Sequence, residues 1–205
     1  RFSIEAVGHS AGVFDEEKLA WANRHYLRAA DPALVADLAI PYLRRAGFVS
    51  EPDGAGVAYL RSVVPMGSGS VDRIDEIPER LAFLFRFDAA AAVEQPAVRE
   101  VLDHPGAREV VEALAGQLTG APRLAGRETF RAAVNGLKQR TGQKGKARFH
   151  PIRVALTGEA GGPELDLAVP ALDRGAELPA GSGIAPVMGC RERAVAFVEA
   201  LRERG

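Results

Sequence analysis

The sequence contains a single cysteine, Cys190, among its 205 residues. One cysteine excludes an internal disulfide and any zinc site built from several cysteines, and it fits a reducing compartment. The sequence also has no apolar run near the roughly 18 residues that a membrane helix needs, and it does not start with a basic segment followed by an apolar one. We therefore expect a cytoplasmic protein with no membrane partner.

A charge excess of either sign is absent as well, because the formal net charge at pH 7 is -1. Any affinity for a polyanion must then come from a local cationic patch rather than from the field of the whole molecule. The apolar content of 47% can bury a core, which excludes a disordered chain, and the length fits one or two domains. The first residue is Arg1 rather than Met, so we expect a fragment or a processed product.

Strand-like alternation is nearly missing too, since apolar residues recur every three or four positions instead. Asp15 and Asp31 mark two helix starts, and Gly47 marks a helix end. The same kinds of helix start and stop residues predict further helices at 54–64, from about 75 onward, and at 96–102, 105–118, 127–140, 151–156, 163–172 and 191–204. We predict an all-α protein of two consecutive helical-bundle domains, residues 1–87 and 88–205, divided at the alanine-rich segment 88–93.

Details of these helices follow from the same rules. The apolar face of the second helix is predicted to comprise Leu34, Leu38, Tyr42 and Leu43. Pro65 is expected to close the third helix ahead of a Gly-Ser loop at 67–70. Residues 178–189 contain several prolines and glycines, so we expect an irregular loop before the last helix.

A basic segment, residues 129–158, is the main charge feature. It contains no Asp or Glu and carries seven positive charges, at Arg131, Lys138, Arg140, Lys144, Lys146, Arg148 and Arg153. Three of the chain's four lysines lie in it, and Gly142 and Gly145 leave the backbone open to a phosphate. These cations suit an RNA backbone, since neutralising phosphates releases counterions. The alternative is a solvated helix C-terminus, where the helix dipole favours basic residues.

Reading single-stranded RNA bases also requires planar groups on which the bases can stack. Arg153, Phe149 and His150, near the end of the basic segment, are the candidates. Phe149 fits the hydrophobic core equally well, so both roles stay open for it.

A short motif, Gly8-His9-Ser10-Ala11-Gly12, matches the G-x-S-x-G turn that carries the nucleophile of many serine hydrolases. That turn needs a helix directly after the serine and an oxyanion donor from an earlier strand and loop. Seven residues precede the motif, and the next helix start is Asp15. A hydrolase that uses Ser10 is therefore the remote alternative.

Other catalytic and metal-binding patterns are missing. The histidines, at 9, 25, 104 and 150, never occur at the helical i, i+4 spacing of a metal pair. The acids Asp72, Asp75, Glu76 and Glu79 suit the dipole of a helix start. Residues 136–144 lack the spacing of a phosphate loop. We expect no metal site, no cofactor and no catalytic residue within this chain.

Three blocks of the sequence resemble the bacterial glutamyl-tRNA synthetase family, in the right order and across nearly the whole chain. Residues 10–23, SAGVFDEEKLAWAN, resemble the SGAVFDxxKLxWxN signature that opens the helical region after the catalytic core. Residues 75–85 resemble the family's L-x-E-x-P…FLF segment. Residues 142–165 resemble its KGK…PLRxALTGxxxGPEL block.

The resemblance implies the C-terminal, anticodon-binding part of such a ligase, with two helical domains that grip the anticodon stem and loop. Its partner is expected to be glutamate tRNA, with glutamine tRNA as an open alternative, and the protein is expected to be a monomer. Arg153 and Leu165 are expected to contact anticodon bases. Backbone contacts are expected from Lys138, Arg140, Lys144, Lys146 and Arg148. The family's ATP signatures, H-x-G-H and K-[LM]-S-K, do not occur in these residues, so ATP and Mg²⁺ are implied only for a parent enzyme.

Two departures from the family pattern stand out. Gly69 and Ser70 occupy a place where many relatives have a basic residue that reads an anticodon base. Residues 175–188 form a longer irregular stretch than relatives have, and the sequence leaves its role open. A stand-alone paralogue that binds tRNA or a protein partner without ligase activity is the other alternative.

Overall fold

The computed structural model of the protein describes residues 15–204. All regular structure in that part of the chain is helical, which confirms the all-α prediction. The α-helices are α1 Glu16–Ala29, α2 Pro32–Arg45, α3 Gly54–Ser68, α4 Ile77–Phe85, α5 Ala89–Glu94, α6 Pro96–Leu102, α7 Ala107–Leu118, α8 Arg127–Thr141, α9 Lys146–Thr157, α10 Leu165–Ala176 and α11 Cys190–Arg204, with a 3-10 helix at Ile74–Glu76. The hydrolase-like motif with Ser10 lies outside the described residues.

Capping residues begin and end the first two helices where the sequence predicts. Asp15 and Asp31 each accept a hydrogen bond from a backbone N–H in the first turn of α1 and α2, at 3.0 and 2.8 Å. Gly47 follows α2 with φ of 79°, in the left-handed region that favours glycine. Both predicted starts and the predicted stop are therefore confirmed.

Some other helix bounds differ from the sequence prediction. α3 runs through Pro65 instead of ending there, and α9 begins before Pro151 rather than at it. A proline inside a helix removes one N–H donor. In α3 the loss is tolerated because Pro65 is exposed while Val63 and Val64 are fully buried and hold this turn against the core. In the alanine-rich segment 88–93, residues 89–93 belong to α5 and Asp88 caps that helix.

The predicted apolar face of α2 is partly wrong. Leu34 and Leu38 are 53% and 49% exposed. The buried residues of α2 are instead Val35, Ala36, Ala39 and Leu43. The alanines allow α2 to pack closely on α3 and α4, so the helix turns these small side chains inward and leaves two leucines at the surface.

α1 buries no residue fully, and it contacts the rest of the protein through Leu27, which packs against the core, and through polar contacts. Arg24 forms an ion pair with Asp72, and Arg28 donates from Nη2 to the carbonyl oxygen of Gly69 at 3.0 Å. Trp21 and Tyr26 are 66% and 73% exposed. Because solvent-exposed ion pairs contribute little free energy, α1 is held less firmly than the helices of the core.

One hydrophobic core extends across the predicted boundary between residues 87 and 88. Leu43 and Leu84 from the first half and Ile152 and Phe197 from the second half are all fully buried within it. α10 packs on α3, where the buried Tyr59 hydroxyl donates to the Ala171 carbonyl oxygen at 3.1 Å. The division into two domains remains a prediction, but the two halves share their core in this structure.

Arg193 of α11 is a fully buried cation that joins several chain segments. Nη1 donates to the carbonyl oxygens of Phe83 and Leu156 at 2.8 and 3.0 Å. Nη2 donates to Leu84 at 2.7 Å and Nε donates to Met188 at 2.7 Å. Three of these acceptors belong to the C-terminal turns of α4 and α9, where carbonyl groups lack helical partners and the helix dipole is negative. Burial lowers the pKa of Arg193 to about 10, so the guanidinium stays charged at neutral pH.

Residues 177–189, here called the strap, connect α10 to α11 and lie against the segment between α2 and α3. The backbone N–H of Ser50 donates to the Gly183 carbonyl oxygen at 2.8 Å, and that of Ala185 donates to Phe48 at 2.9 Å. Val49 and Ile184 form an isolated antiparallel bridge. The predicted irregular loop is confirmed, and the stretch whose role the sequence left open ties the second half of the chain to the first.

We expect Gly183→Ala to destabilise the protein by about 2 kcal/mol or more, because an L-residue in the left-handed region is strained. Gly183 has φ of 72°, and a Cβ atom there would collide with the Glu51 carbonyl group. Urea denaturation measures the loss. The matched control is Gly181→Ala in the same strap, where an added Cβ meets nothing within 4 Å. Equal stability of the two variants would contradict the assigned role of the strap.

Candidate nucleic-acid interface

The end of α8, the start of α9 and the turn between them carry four of the predicted backbone-contact residues. Lys138 and Arg140 lie in the last turn of α8, Lys144 lies in the turn, and Lys146 is the first residue of α9; all four are exposed. The turn passes through Gly142 and Gly145, with φ of 68° and 52°. The positive φ angles therefore favour glycine at both positions, in addition to the predicted access of phosphate to the backbone.

These four cations form no ion pair with another residue in the range 15–204. Arg131 differs, because its guanidinium pairs with Asp166 at 2.7 Å. The helix dipole explains Lys138 and Arg140, since it favours cations at the end of α8. It does not explain Lys146, which lies at the positive end of α9. Stabilisation of a helix C-terminus therefore accounts for only part of the basic segment.

Arg148, the fifth predicted backbone contact, lies mostly inside the protein. It is 9% exposed, and its Nη1 donates to the Val134 carbonyl oxygen in α8 at 3.3 Å. The guanidinium also lies over the ring of Phe149, 4.8 Å from its centre. A contact of Arg148 with RNA remains a prediction, and the structure gives this residue a role in joining α8 to α9.

Lys146, Phe149, His150 and Arg153 form one stripe along α9, because they are spaced i, i+3, i+4 and i+7. We call this the α9 stripe. Phe149 is 36% exposed, so it lies at the surface, and the alternative that it belongs to the core is wrong. Lys146 and His150 also line a cleft of about 440 Å³ together with His104, which follows the end of α6. The stripe thus presents two cations, Lys146 and Arg153, with one aromatic ring and one imidazole between them.

Arg153 lies at the far end of the α9 stripe and is half-buried. Its Nη1 donates to the Pro163 carbonyl oxygen at 2.7 Å. Burial lowers the pKa of Arg153, and the nearby carboxylate of Glu159 opposes that change. Leu165, the first residue of α10, is only 6% exposed, so little of its side chain is open to a base. The base contacts of Arg153 and Leu165 remain predictions.

A cleft of about 520 Å³ opens next to Arg153, between the two halves of the chain. We call it the junction cleft. The end of α3 and the start of α4 form one wall, and the loop from α9 to α10 forms the other; the polar residues among its lining are Ser70, Glu79, Arg80 and Glu159. Sequence reasoning missed this site because Glu79 was assigned to a solvated helix start. The one available signal was Glu159, which ends the acid-free segment beside the predicted base-contact residues.

Residues 15–204 contain no group of three or more His, Cys, Asp or Glu side chains arranged to hold a metal ion. Cys190 is buried at the start of α11, and burial raises the pKa of its thiol, which disfavours the nucleophilic thiolate. In the same part of the chain, none of the helices combines the length and the apolar character that crossing a bilayer requires.

Comparison with known proteins shows which family this chain is related to. The family model for the anticodon-binding domain matches residues 34–176. The glutamate–tRNA ligase of Alkaliphilus metalliredigens is 34% identical over 175 residues, which cover 84% of this chain and 35% of that protein. The glutamate–tRNA ligase of Heliobacterium modesticaldum is 35% identical over 175 residues, with 85% and 35% covered. This chain therefore spans about a third of the length of these curated relatives.

A solved structure has the same fold. The crystal structure of a glutamate tRNA ligase from Elizabethkingia meningosepticum superposes with a TM-score of 0.70 at 15% sequence identity. The match covers 98% of this chain and 35% of that one. The similarity therefore extends over both halves of the helical arrangement described above.

Proposed function

Because this chain belongs to the family of anticodon-binding domains, whose relatives here are glutamate–tRNA ligases, we propose that it binds the anticodon arm of a tRNA. The observation that carries the proposal is the α9 stripe, which has Arg153 at one end and, at the other, Lys146, which forms no ion pair within residues 15–204. A cationic end suits phosphates, and planar groups suit unstacked bases.

In the proposed complex, some residues position the RNA and others recognise its bases. Lys138, Arg140, Lys144 and Lys146 bind sugar-phosphate backbone and orient the loop without sequence preference. Phe149 and His150 then provide surfaces on which bases stack, and Arg153 donates hydrogen bonds to a base edge. Leu165 contributes only the small part of its side chain that reaches the surface.

The finer parts of the proposal concern the whole protein. We propose that it ligates glutamate to glutamate tRNA in the cytoplasm, as a monomer, with ATP and Mg²⁺ held by sequence other than these 205 residues. Support comes from the names of the relatives, of which this chain matches about a third. Glutamine tRNA stays an alternative substrate, and a stand-alone tRNA- or protein-binding paralogue stays an alternative identity.

Competition binding tests the proposal. A labelled glutamate-tRNA transcript is bound to the chain, and an unlabelled hairpin of its anticodon arm or of its acceptor arm is added. We expect the anticodon-arm hairpin to displace the transcript and the acceptor-arm hairpin to have no effect at equal concentration. Displacement by both hairpins to the same extent indicates binding to RNA charge alone, and displacement by the acceptor arm only refutes the proposal.

A further inference from the structure

The cleft beside the first turns of α9 is lined by basic side chains from two separate parts of the chain. Lys146 and His150 lie one turn apart on α9, and His104 lies in the turn between α6 and α7. We call this cleft of about 440 Å³ the histidine cleft. It lies at the opposite end of the α9 stripe from Arg153 and the junction cleft.

Gln143 holds the two turns that bear these groups against each other. A Cβ atom added at Gly106, which has φ of 81°, would collide with the side-chain amide of Gln143. Gln143 therefore packs directly on the turn between α6 and α7, where glycine leaves room for it. Its own backbone is held by Thr141, whose Oγ1 accepts from the Gln143 N–H at 3.3 Å. The positions of His104 and Lys146 are thus set by packing rather than by two independent loops.

The charge of the histidine cleft depends on its two imidazoles. Among the lining residues within the range 15–204, Glu100 of α6 provides the one carboxylate and Lys146 provides the one permanent cation. Apart from the histidines, the other lining residues are alanines, a valine and a proline, which bring no charge. Lysine and glutamate therefore balance while both imidazoles are neutral. Because an imidazole gains its proton between about pH 8 and pH 5, the cleft becomes cationic over that range.

A backbone phosphate is the ligand that suits this charge. Lys146 forms an ion pair with no residue in the range 15–204, Glu100 included, so its ammonium is available to an anion. A phosphodiester carries one negative charge on two unesterified oxygens, which accept hydrogen bonds from ammonium and imidazolium N–H groups. The positive end of the α9 dipole attracts the same charge.

RNA bound along the α9 stripe can reach this cleft. Lys146 and Arg153 have the spacing i, i+7 on α9, which corresponds to about 10 Å along the helix. A loop that lies along the stripe with a base at Arg153 therefore brings its backbone to the cleft. His150 donates from the edge of its ring, so the face of the ring stays open to the stacking proposed above.

We propose that the histidine cleft binds one backbone phosphate of the anticodon arm, held by Lys146, His104 and His150. This inference rests on the proposed function, since the phosphate belongs to RNA bound along α9. It adds His104, which lies outside the basic segment, to the residues that contact RNA. It also makes the affinity depend on the protonation of two imidazoles.

Methylphosphonate substitution locates the phosphate. In a set of anticodon-arm hairpins, one linkage at a time is replaced by an uncharged methylphosphonate. At pH 6 we expect one linkage whose replacement weakens binding to the wild-type chain roughly tenfold or more, as the loss of a hydrogen bond between charged groups does. In the double variant His104→Gln, His150→Gln the loss at this linkage should be at least about fivefold smaller, while the losses at other linkages stay the same.

The same contact should make binding of the unmodified hairpin depend on pH. At constant ionic strength the affinity of the wild-type chain should rise roughly fivefold or more from pH 8 to pH 6, because the imidazolium attracts the phosphate more strongly than the neutral imidazole. The double variant should change by less than about twofold, since its amides do not titrate. Glu100→Gln should bind the hairpin more tightly than the wild type, because a carboxylate that faces the phosphate is removed.

His25→Gln is the matched control, because His25 is an exposed histidine on α1, away from the lining of the cleft. It should keep the pH dependence of the wild type, and thermal melting should show each variant folded.

Three results overturn the inference while the proposed function stands. The first is a hairpin affinity of the wild-type chain that is equal at pH 6 and pH 8, or a pH dependence that the double variant keeps. The second is a set of methylphosphonate losses that is the same in both proteins at every linkage. The third is weaker binding by Glu100→Gln, since the cleft then prefers a cation. If the wild-type chain binds no anticodon-arm hairpin at either pH, the proposed function fails as well.

Discussion

Replacing both Lys144 and Lys146 with alanine should weaken tRNA binding roughly 25- to 60-fold at about 0.1 M salt, through lost counterion release. Each phosphate contact adds about 0.7 to 0.9 to the slope of log affinity against log salt, so the slope should fall by about 1.4 to 1.8. Both lysines are exposed and form no ion pair within residues 15–204, so the fold should be unaffected. Fluorescence anisotropy across a salt series measures both quantities.

A control of equal charge change separates this local effect from the overall charge. Arg108 on α7 and Arg202 on α11 are exposed cations outside the basic segment, and both line a small cleft between those helices. Replacing both with alanine should leave the salt slope nearly unchanged. If the two double variants lose the same slope, tRNA is attracted by the molecule as a whole, and the basic segment has no special part in binding.

Replacing Arg193 with methionine should lower the free energy of unfolding by about 4 kcal/mol or more, because each buried acceptor left without a donor costs about 1 to 3 kcal/mol. Four carbonyl oxygens, from α4, α9 and the strap, lose their donor in this variant. Native domains have only about 5 to 15 kcal/mol of stability, so a large part of the population should be unfolded at physiological temperature. Urea titration followed by circular dichroism measures the loss.

Arg202→Met on the same helix is the control, since Arg202 is exposed and its loss should be within about 0.5 kcal/mol of neutral. Arg193→Lys should recover only part of the loss, because an ammonium cannot reproduce the planar fork of five N–H donors. If the Arg193→Met variant is as stable as the Arg202→Met variant, Arg193 does not join the helices as described.

Local chemistry made most of the helices predictable. Asp15 and Asp31 cap their helices with their own side chains, and Gly47 ends α2 through its own backbone freedom, so a few neighbouring residues suffice to recognise them. The turn between α8 and α9 is local in the same sense. The exposed lysines could therefore be identified from their spacing alone.

Long-range packing determined the features of the helices that the sequence predicted wrongly. Leu34 and Leu38 have the right spacing for a buried face, but the close approach of α3 selects the alanines of α2 instead. Pro65 is a helix breaker by local rules, and only the burial of neighbouring valines keeps α3 intact. Tertiary partners of this kind leave no trace in the local pattern.

The junction cleft was beyond reach for the same reason. Arg80 and Glu159 are 79 positions apart in the sequence, and nothing in either neighbourhood indicates the other. Arg153 could be identified from the resemblance, but the groups that surround it come from α4 and from the loop after α9. Only the packing of the two halves brings them together.

The acceptors of Arg193 are all peptide oxygens, which every amino acid possesses. Mutations at residues 83, 84, 156 and 188 can therefore accumulate without removing a single bond to the guanidinium, provided that the backbone keeps its course. These four hydrogen bonds therefore constrain the codon of Arg193 alone, whereas Phe83, Leu84 and Leu156 are constrained by the burial of their own side chains in the core. Randomising these five positions and sequencing the folded survivors should recover arginine at 193, several different apolar side chains at 83, 84 and 156, and a wider mixture at the exposed position 188.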